Sequence, residues 1–343
     1  MSKISNSDFE DLPSVSIVIP TLNSSRTLVQ CLESIFNQDY PRKKVEVIIT
    51  DGGSTDETVR IAEGYGVDRV LSNPLRTGEA GKAVGVEIAK NELIAFIDSD
   101  NILPSPNWLK TMVKPFKDLE IVGTEPLYYA RRERDPLITR YCALTGMNDV
   151  LCLFLGNYDR YSYMTGRWTE LNLNAEDQGD YVLVKLSERN IPTMGANGFM
   201  VRAEAIKNVD YRPYLFDIDV IYQLVKVGWN KFAKVKIGIV HLFANDINAY
   251  VKKTHRRIRD YLYYEKLAAR KYPWRHLSNL GIPKFVLYTL LLAPTVSSLL
   301  RGYRKVQDRA WLFHPLACWL TLFTYGFRFI TGAIQDTMPR KNE

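Results

Sequence analysis

Two aspartates one residue apart, Asp98 and Asp100, close the apolar run Leu93-Ile94-Ala95-Phe96-Ile97. Side chains alternate along a strand, so residues two apart leave its end on the same side. Carboxylates placed this way repel unless a positive charge joins them. A hard divalent cation carrying a diphosphate is the natural third party. Asp-x-Asp alone is a common turn or helix-cap pattern, and it recurs at Asp217-Ile218-Asp219. The first copy differs in the strand before it and in what falls at other strand ends: Pro20-Thr21-x-Asn23, Asp51-Gly52-Gly53-Ser54-x-Asp56 and Gly81-Lys82. Asp51 can accept an N–H from a nucleobase, or it can shape the turn before Gly52 and Gly53. Asn23 can contact a nucleotide or cap the next helix. Lys82 and Arg76 can face a diphosphate or lie solvated on the surface.

Two phosphate-binding patterns are excluded. The turn after the first strand has no glycines, so it is not the Gly-x-Gly-x-x-Gly fingerprint. Gly78-Glu79-Ala80-Gly81-Lys82-Ala83 has glycines too close together for a phosphate loop, and Ala83 stands where a hydroxyl would hold magnesium.

The elements that must position these residues alternate regularly over residues 14–100. Val15–Ile19, Val45–Thr50, Arg69–Leu71 and Leu93–Ile97 read as strands. Helical spacing appears around Leu28, Cys31, Leu32, Ile35 and Phe36, then from Thr55 to about Gly64, and from Lys82 to Ala89. Such alternation predicts an α/β fold, a doubly wound mixed sheet dominated by parallel strands. Ligands of such sheets sit at the carboxyl ends of strands. Residues 124–195, rich in Tyr and Arg, read as an insertion or a loop-rich substrate region. Regular structure returns with the strand at Gly198–Val201, the helix at Val220–Lys226 and the strand at Val235–His241.

The chain has 343 residues, 46% of them hydrophobic, and a formal net charge of +7. That charge suits anionic partners. Its four cysteines have no metal-ligand spacing and fit a reducing compartment. Residues 1–12 form a polar tail without the apolar core of a signal peptide. Phe285–Leu300 and Ala310–Phe327 are strongly apolar, each contains a proline, and each falls short of the ~20 residues that span hydrocarbon. Between them lie Arg301, Arg304, Lys305 and Arg309. Three readings compete: helices lying in or partly within a membrane, a transmembrane pair, and a buried helical hairpin.

Taken together and in order, Pro20-Thr21-x-Asn23, Asp51-Gly52-Gly53-Ser54-x-Asp56, Gly81-Lys82 and Asp98-Ser99-Asp100 resemble a family 2 glycosyltransferase with the GT-A fold. The resemblance is strong over residues 13–120 and moderate over 195–262. It implies a nucleoside-diphosphate sugar bound by Pro20, Thr21, Asn23, Asp51, Gly52, Arg76, Gly81, Lys82, Asp98, Ser99 and Asp100. It implies a divalent cation, Mn²⁺ or Mg²⁺, held at Asp100, with His241 as a candidate ligand. Gly195-Ala196-Asn197-Gly198 resembles the segment ahead of the catalytic helix, with Asn197 and Gly198 on the acceptor side. The family places a Glu-Asp pair at the start of that helix. Here Phe216 replaces the Glu, Asp217 takes the general-base role, and Asp219 is the fallback. Arg256 and Arg257, in the basic run Lys252–Arg259, are candidates for the diphosphate or an acceptor phosphate.

The implied activity is a metal-dependent, inverting hexosyl transfer to a hydroxyl on a lipid-linked or glycan acceptor, at the cytoplasmic face of the cell membrane. The implied organisation is a nucleotide-sugar half over 13–123, an acceptor half over 124–265 and a membrane-associated helical region over 266–343, the last containing a C-terminal apolar helical hairpin. A polyprenyl-phosphate sugar synthase is the nearest alternative, but its anionic acceptor needs no base. A sugar-phosphate nucleotidyltransferase would need a Gly- and Arg-rich first loop. A non-catalytic sugar-binding protein would not need Asp98, Asp100 and Asp217. Nucleic-acid binding is not expected, since the basic residues adjoin an apolar tail and the common modules are absent.

Overall fold

Continuous apolar runs such as Val15–Ile19 are what a strand covered on both faces requires. In the computed structural model, which describes residues 12–273 and 280–331, they build the centre of one sheet. The N-terminal tail, apart from Leu12, and the C-terminal end from residue 332 lie outside the described residues. The strands are β1 (Val15–Thr21), β2 (Val45–Asp51), β3 (Arg69–Ser72), β4 (Leu93–Phe96), β5 (Asn101–Ile102), β6 (Ile121–Tyr129), β7 (Asn174–Asp177), β8 (Tyr181–Lys185), β9 (Phe199–Arg202) and β10 (Lys231–His241). Their order is β3-β2-β1-β4-β9-β6-β10-β8-β7, with β5 paired to β10. β1 to β4 run parallel, whereas β9 is antiparallel to both β4 and β6.

This order fixes where a ligand belongs. From β1 the chain adds β2 and β3 on one side and then returns to place β4 on the other. The topological switch point therefore lies between the carboxyl ends of β1 and β4. Thr21 ends β1 opposite Asp51 of β2, and Asp98 follows β4.

Helices α1 (Ser25–Phe36), α2 (Thr58–Gly64) and α3 (Gly78–Ile88) connect the first strands. α3 starts four residues before the helix expected at Lys82, because Thr77 caps it by accepting from Ala80 N at 3.1 Å. It lies close on the sheet through two glycines. A Cβ on Gly81 would meet Thr50 Oγ1 at 2.7 Å and Pro20 Cβ at 2.9 Å, and one on Gly85 would meet Val18 Cγ1 at 2.2 Å. Helix α4 (Trp108–Val113) follows β5.

Residues 124–195 are more regular than a loop-rich insertion. They contain most of β6, then α5 (Leu137–Thr145), α6 (Cys152–Leu155), β7 and β8. β6 pairs with β9 through Gly123 and Thr124. Buried polar residues such as Thr124 and Glu125 interrupt its hydrophobic pattern, which hides the strand from a periodicity reading. Later elements are α7 (Ala203–Lys207), α8 (Asp217–Lys226), α9 (Ile247–Lys266), α10 (Gly281–Leu290), α11 (Ala293–Ser297) and α12 (Phe313–Thr331).

The chain divides into two compact units, each discontinuous in sequence: residues 1–127 with 173–239, and 128–172 with 240–343. Boundaries at 123/124 and 265/266 do not coincide with this division. The first unit holds the parallel sheet. The second has its own core, in which Tyr141, Tyr250, Phe313 and Trp311 pack together. Among the described residues no single helix is long and apolar enough to cross a membrane, but the pair Gly281–Leu290 and Ala293–Tyr303, bent by 90°, passes on length and composition. The first apolar stretch is broken at this bend and its leucines are exposed, while Phe285 on its inner side packs with Cys318 of α12.

Candidate active site

The loops after β1 and β2 are tied together by short polar side chains. The Asp51 carboxylate accepts from Thr21 Oγ1 at 2.9 Å, Gly53 N at 2.9 Å, Ser54 N at 2.7 Å and Ser54 Oγ at 2.5 Å. A carboxylate has about four acceptor positions, and these four donors fill them. Asp51 thus shapes the turn before Gly52 and Gly53. Asn23 caps no helix. Its backbone is left-handed at φ 50°, and its Oδ1 accepts from Thr55 N at 2.9 Å. Arg76 folds over the same turn and donates from Nε to the Gly52 carbonyl at 2.9 Å. Gly52 N donates to the Thr21 carbonyl at 2.8 Å. Pro20, Thr21, Asn23, Asp51, Gly52 and Arg76 therefore form one braced rim. Gly81 packs under this rim, against Thr50 and Pro20. Asp56 braces the same region: burial pushes its pKa up, but hydrogen bonds from Thr58 and Ser25 outweigh this and hold it down at about 2.

Beside this rim, Asp98, Ser99 and Asp100 are half-buried. Ser99 Oγ donates to Ser24 Oγ at 2.9 Å, and Asp98 N to Asn101 Oδ1 at 3.0 Å. Asp98 and Asp100 both act on the Cys31 thiol, which burial, then Asp100 and Asp98, push far above its ordinary pKa. Two partly exposed hard-oxygen donors near one another fit a divalent ion that takes its other ligands from a diphosphate and water. They do not make an all-protein cage: among the described residues no three His, Cys, Asp or Glu side chains are arranged to hold a metal.

The centre of the site is a buried lysine. Lys82, on α3, donates from Nζ to Asp217 Oδ1 at 2.7 Å. Its side chain is 6% exposed and that of Asp217 31%. Burial alone would lower the lysine pKa, but Asp217, then Asp98 and Glu79, outweigh it and hold the ammonium charged. Asp217 is pushed the other way: burial raises its carboxyl to about 6, even though Lys82 pulls it down. One cation thus feels Asp98 from just after β4 and Asp217 from the start of α8. Neither residue's neighbours in sequence would suggest the other. A carboxylate poised near neutrality suits a general base.

Asp217 is the first residue of α8, after Phe216, which has extended backbone and no capping side chain. Asp219, two residues on, is 3% exposed and turned into the interior. The loop before β9, which packs against the start of α8, is held from below. Gly195, at φ 115°, lies against Asp217, and a Cβ there would come within 2.9 Å of Asp217 Cβ. Its N–H donates to Glu125 Oε1 at 2.8 Å. Glu125 Oε2 in turn accepts from Lys234 Nζ at 2.5 Å, with both side chains 0% exposed. Asn197 Oδ1 accepts from Asn101 Nδ2 at 2.9 Å, and Gly198 N donates to the Phe96 carbonyl at 2.8 Å. These bonds anchor the loop to β4 and β5, on either side of Asp98. Sequence reasoning missed Glu125 and Lys234. Their signal was available: one acid and one base, each inside an apolar strand.

The remaining candidates lie in the second unit. His241 Nδ1 is 3.3 Å from Asn148 Nδ2, and its ring packs on Tyr129 and Phe243. Arg257 pairs with Asp149 at 3.3 Å, whereas Arg256, next to it, is exposed. The two arginines therefore face different surroundings. A surface depression of about 560 Å³ in this unit, lined by residues including Leu137, Asn245, Asp246 and Phe313, contains none of the candidate site residues.

Residues 16–172 match the family described as glycosyl transferase family 2. Over 126 residues the chain is 34% identical to glycosyltransferase GlyG of Streptococcus pneumoniae, a match covering 35% of this chain and 41% of that protein. Over 112 residues it is 30% identical to the dolichyl N-acetyl-alpha-D-glucosaminyl phosphate 3-beta-D-2,3-diacetamido-2,3-dideoxy-beta-D-glucuronosyltransferase of Methanococcus voltae, covering 31% of this chain and 35% of that protein. The chain therefore spans about two fifths or less of these relatives in the matched region. Among solved structures, the mannosyltransferase PcManGT of Pyrobaculum calidifontis, in complex with GDP-Man and Mn²⁺, superimposes with a TM-score of 0.56 at 16% identity, covering 94% of this chain and 88% of that one. That likeness establishes a shared GT-A fold.

Proposed function

We propose that this chain, whose residues 16–172 belong to glycosyl transferase family 2, is a metal-dependent enzyme moving a sugar from a nucleoside-diphosphate donor to an acceptor hydroxyl. The observation that carries the reading is Lys82, whose buried ammonium is bonded to Asp217 and also feels Asp98. That contact supports a base and a diphosphate site within one charge network.

The donor is taken at the rim formed by Pro20, Thr21, Asn23, Asp51, Gly52 and Arg76, with its diphosphate towards Asp98, Ser99 and Asp100. A divalent cation, Mn²⁺ or Mg²⁺, held by Asp100 with Asp98 beside it, would neutralise charge on the departing diphosphate. Asp217 accepts the proton of the attacking hydroxyl, help worth about 10²–10⁴ in rate. Lys82 keeps Asp217 more ionised than burial alone would leave it. Asp219 is too deeply buried to meet an acceptor and serves α8 instead. Gly195, Asn197 and Gly198 hold the wall on which the acceptor rests. The acceptor we infer is lipid-linked, at the cytoplasmic face of a membrane. Supporting this are the dolichyl-linked substrate in the name of the Methanococcus voltae relative and the apolar tail beside the basic residues of α9, where Arg256 is exposed to meet an anionic group.

A donor screen tests the proposal. Purified protein is incubated with Mn²⁺ or Mg²⁺ and each common nucleotide sugar, and released nucleoside diphosphate is measured. One donor turns over, chelation stops it, and Asp100→Ala abolishes it. Asp217→Asn leaves donor binding nearly intact while transfer falls. Full activity in Asp217→Asn together with its loss in Asp219→Asn would move the base by two residues. No turnover with any donor refutes the enzyme reading.

A further inference from the structure

The stretch from Gly281 to Tyr303 is apolar and sharply bent. α10 ends at Leu290, the chain turns through Leu291 and Leu292, and α11 with the π-helical turn Ser298–Tyr303 leaves at 90°. Leu292 sits at φ 57°, a conformation that a bulky residue rarely adopts. At the bend Leu291 is 68% and Leu292 61% exposed, and Leu287, Leu290, Val296, Leu299 and Leu300 are also exposed. Clustered exposed apolar side chains of this kind mark an interaction surface.

The inner side of the bend is well held. Phe285 and Tyr288 pack on Phe154 with ring centroids 5.3 and 4.9 Å apart. Gly302 lies so close to Trp311 that a Cβ would come within 2.5 Å of its ring. Tyr288 also bonds the buried His314 at 3.0 Å. The leucines are therefore presented by a braced scaffold.

Charge identifies the occupant. Residues 280–307 contain no acidic residue. Lys284 precedes the bend and Arg301, Arg304 and Lys305 follow it, and all four are exposed. Ten helical residues reach only about 15 Å, half the ~30 Å of a hydrocarbon core, and the right-angled turn prevents the two arms from adding up. An apolar apex flanked on both sides by lysine and arginine matches the upper layer of an anionic bilayer: leucines among the acyl chains, cations at the headgroups.

We propose that residues 287–300 form a wedge that enters one leaflet of an anionic membrane without crossing it. The proposal deepens the membrane part of the function proposed above and does not depend on the transfer chemistry.

Flotation of the full-length protein with vesicles tests it, comparing phosphatidylcholine alone with phosphatidylcholine containing about a third phosphatidylglycerol. The wedge predicts binding to the anionic vesicles that falls at least about tenfold in the triple variant Leu290→Ser, Leu291→Ser, Leu292→Ser. It predicts that Arg301→Glu with Arg304→Glu removes the preference for anionic lipid. Nucleotide-sugar hydrolysis in the absence of vesicles stays unchanged in both variants, which separates failure of the wedge from failure of the catalytic reading. Lys284→Cys and Arg304→Cys, introduced one at a time, are both labelled by a membrane-impermeant maleimide added outside, above the background of the parent protein. Absence of vesicle binding, full binding by the triple serine variant, or a lipid-free dimer that those serines disrupt overturns the proposal. Labelling of one flank with protection of the other overturns it in favour of a crossing segment.

Discussion

Replacing Lys82 with methionine removes the cation bonded to Asp217 while keeping the length of the buried stem. In the native protein the Asp217 carboxyl is near 6, raised by burial and held back by Lys82 at 2.7 Å. An adjacent opposite charge typically lowers a carboxylate pKa by about 1–3 units. Without Lys82 the group should titrate at about 7–9. At pH 7 the ionised fraction then falls from about nine-tenths to between about one half and one hundredth, which is about 2- to 100-fold in kcat. The sign is definite: a base raised in pKa is lost as pH falls, so the deficit grows on acidification and closes on the alkaline side. The assay is kcat against pH from 5.5 to 9.5 at saturating donor and acceptor, with a thermal melt of each variant to confirm folding. An acid limb at the same pH in Lys82→Met and wild type would refute the argument. A variant altered only in donor KM would make Lys82 a diphosphate ligand instead.

Two further perturbations follow from the same packing. Glu125 and Lys234 form a fully buried pair beneath Gly195. Lys234→Met alone strands a carboxylate and should cost about 3–5 kcal/mol in chemical denaturation, whereas adding Glu125→Leu should restore most of it; a single-variant loss below about 1 kcal/mol would contradict this. In the second unit His314 bridges the hydroxyls of Tyr141 and Tyr288, 2.8 and 3.0 Å away, with the Cys318 thiol nearby. Burial lowers its pKa to about 4. The folded pKa lies below the unfolded one, so the stability it contributes is fully present above about pH 6.5 and is lost as pH falls towards 4. The loss should reach about 2 kcal/mol at pH 5 and flatten in His314→Phe, as denaturant unfolding at several pH values would show.

Strand ends were legible in the sequence because they are local. A buried strand needs unbroken apolar residues, and Pro20, Asp51 and Asp98 fall where those runs stop. The bridging acid and base Glu125 and Lys234 were not legible, because each looks like a misplaced charge until strands distant in sequence are set side by side. The start of α3 was misjudged because glycines at 78 and 81 weaken helix propensity, while their value lies in contact with β1 and β2.

The succession of the first four strands along the chain, the loops that end in carboxylates and the basic, apolar tail are properties of the chain itself, fixed by hydrophobic period and residue type. Three things depended on the third dimension: that Asp51 is fully engaged by its own turn, that Lys82 is buried against Asp217, and that the first apolar stretch of the tail bends at a right angle with its leucines outward. Each is a meeting of residues or a direction of side chains. Periodicity along a sequence records which residues prefer burial. It does not record which partner they bury against, and here that partner sets the charge on the proposed base.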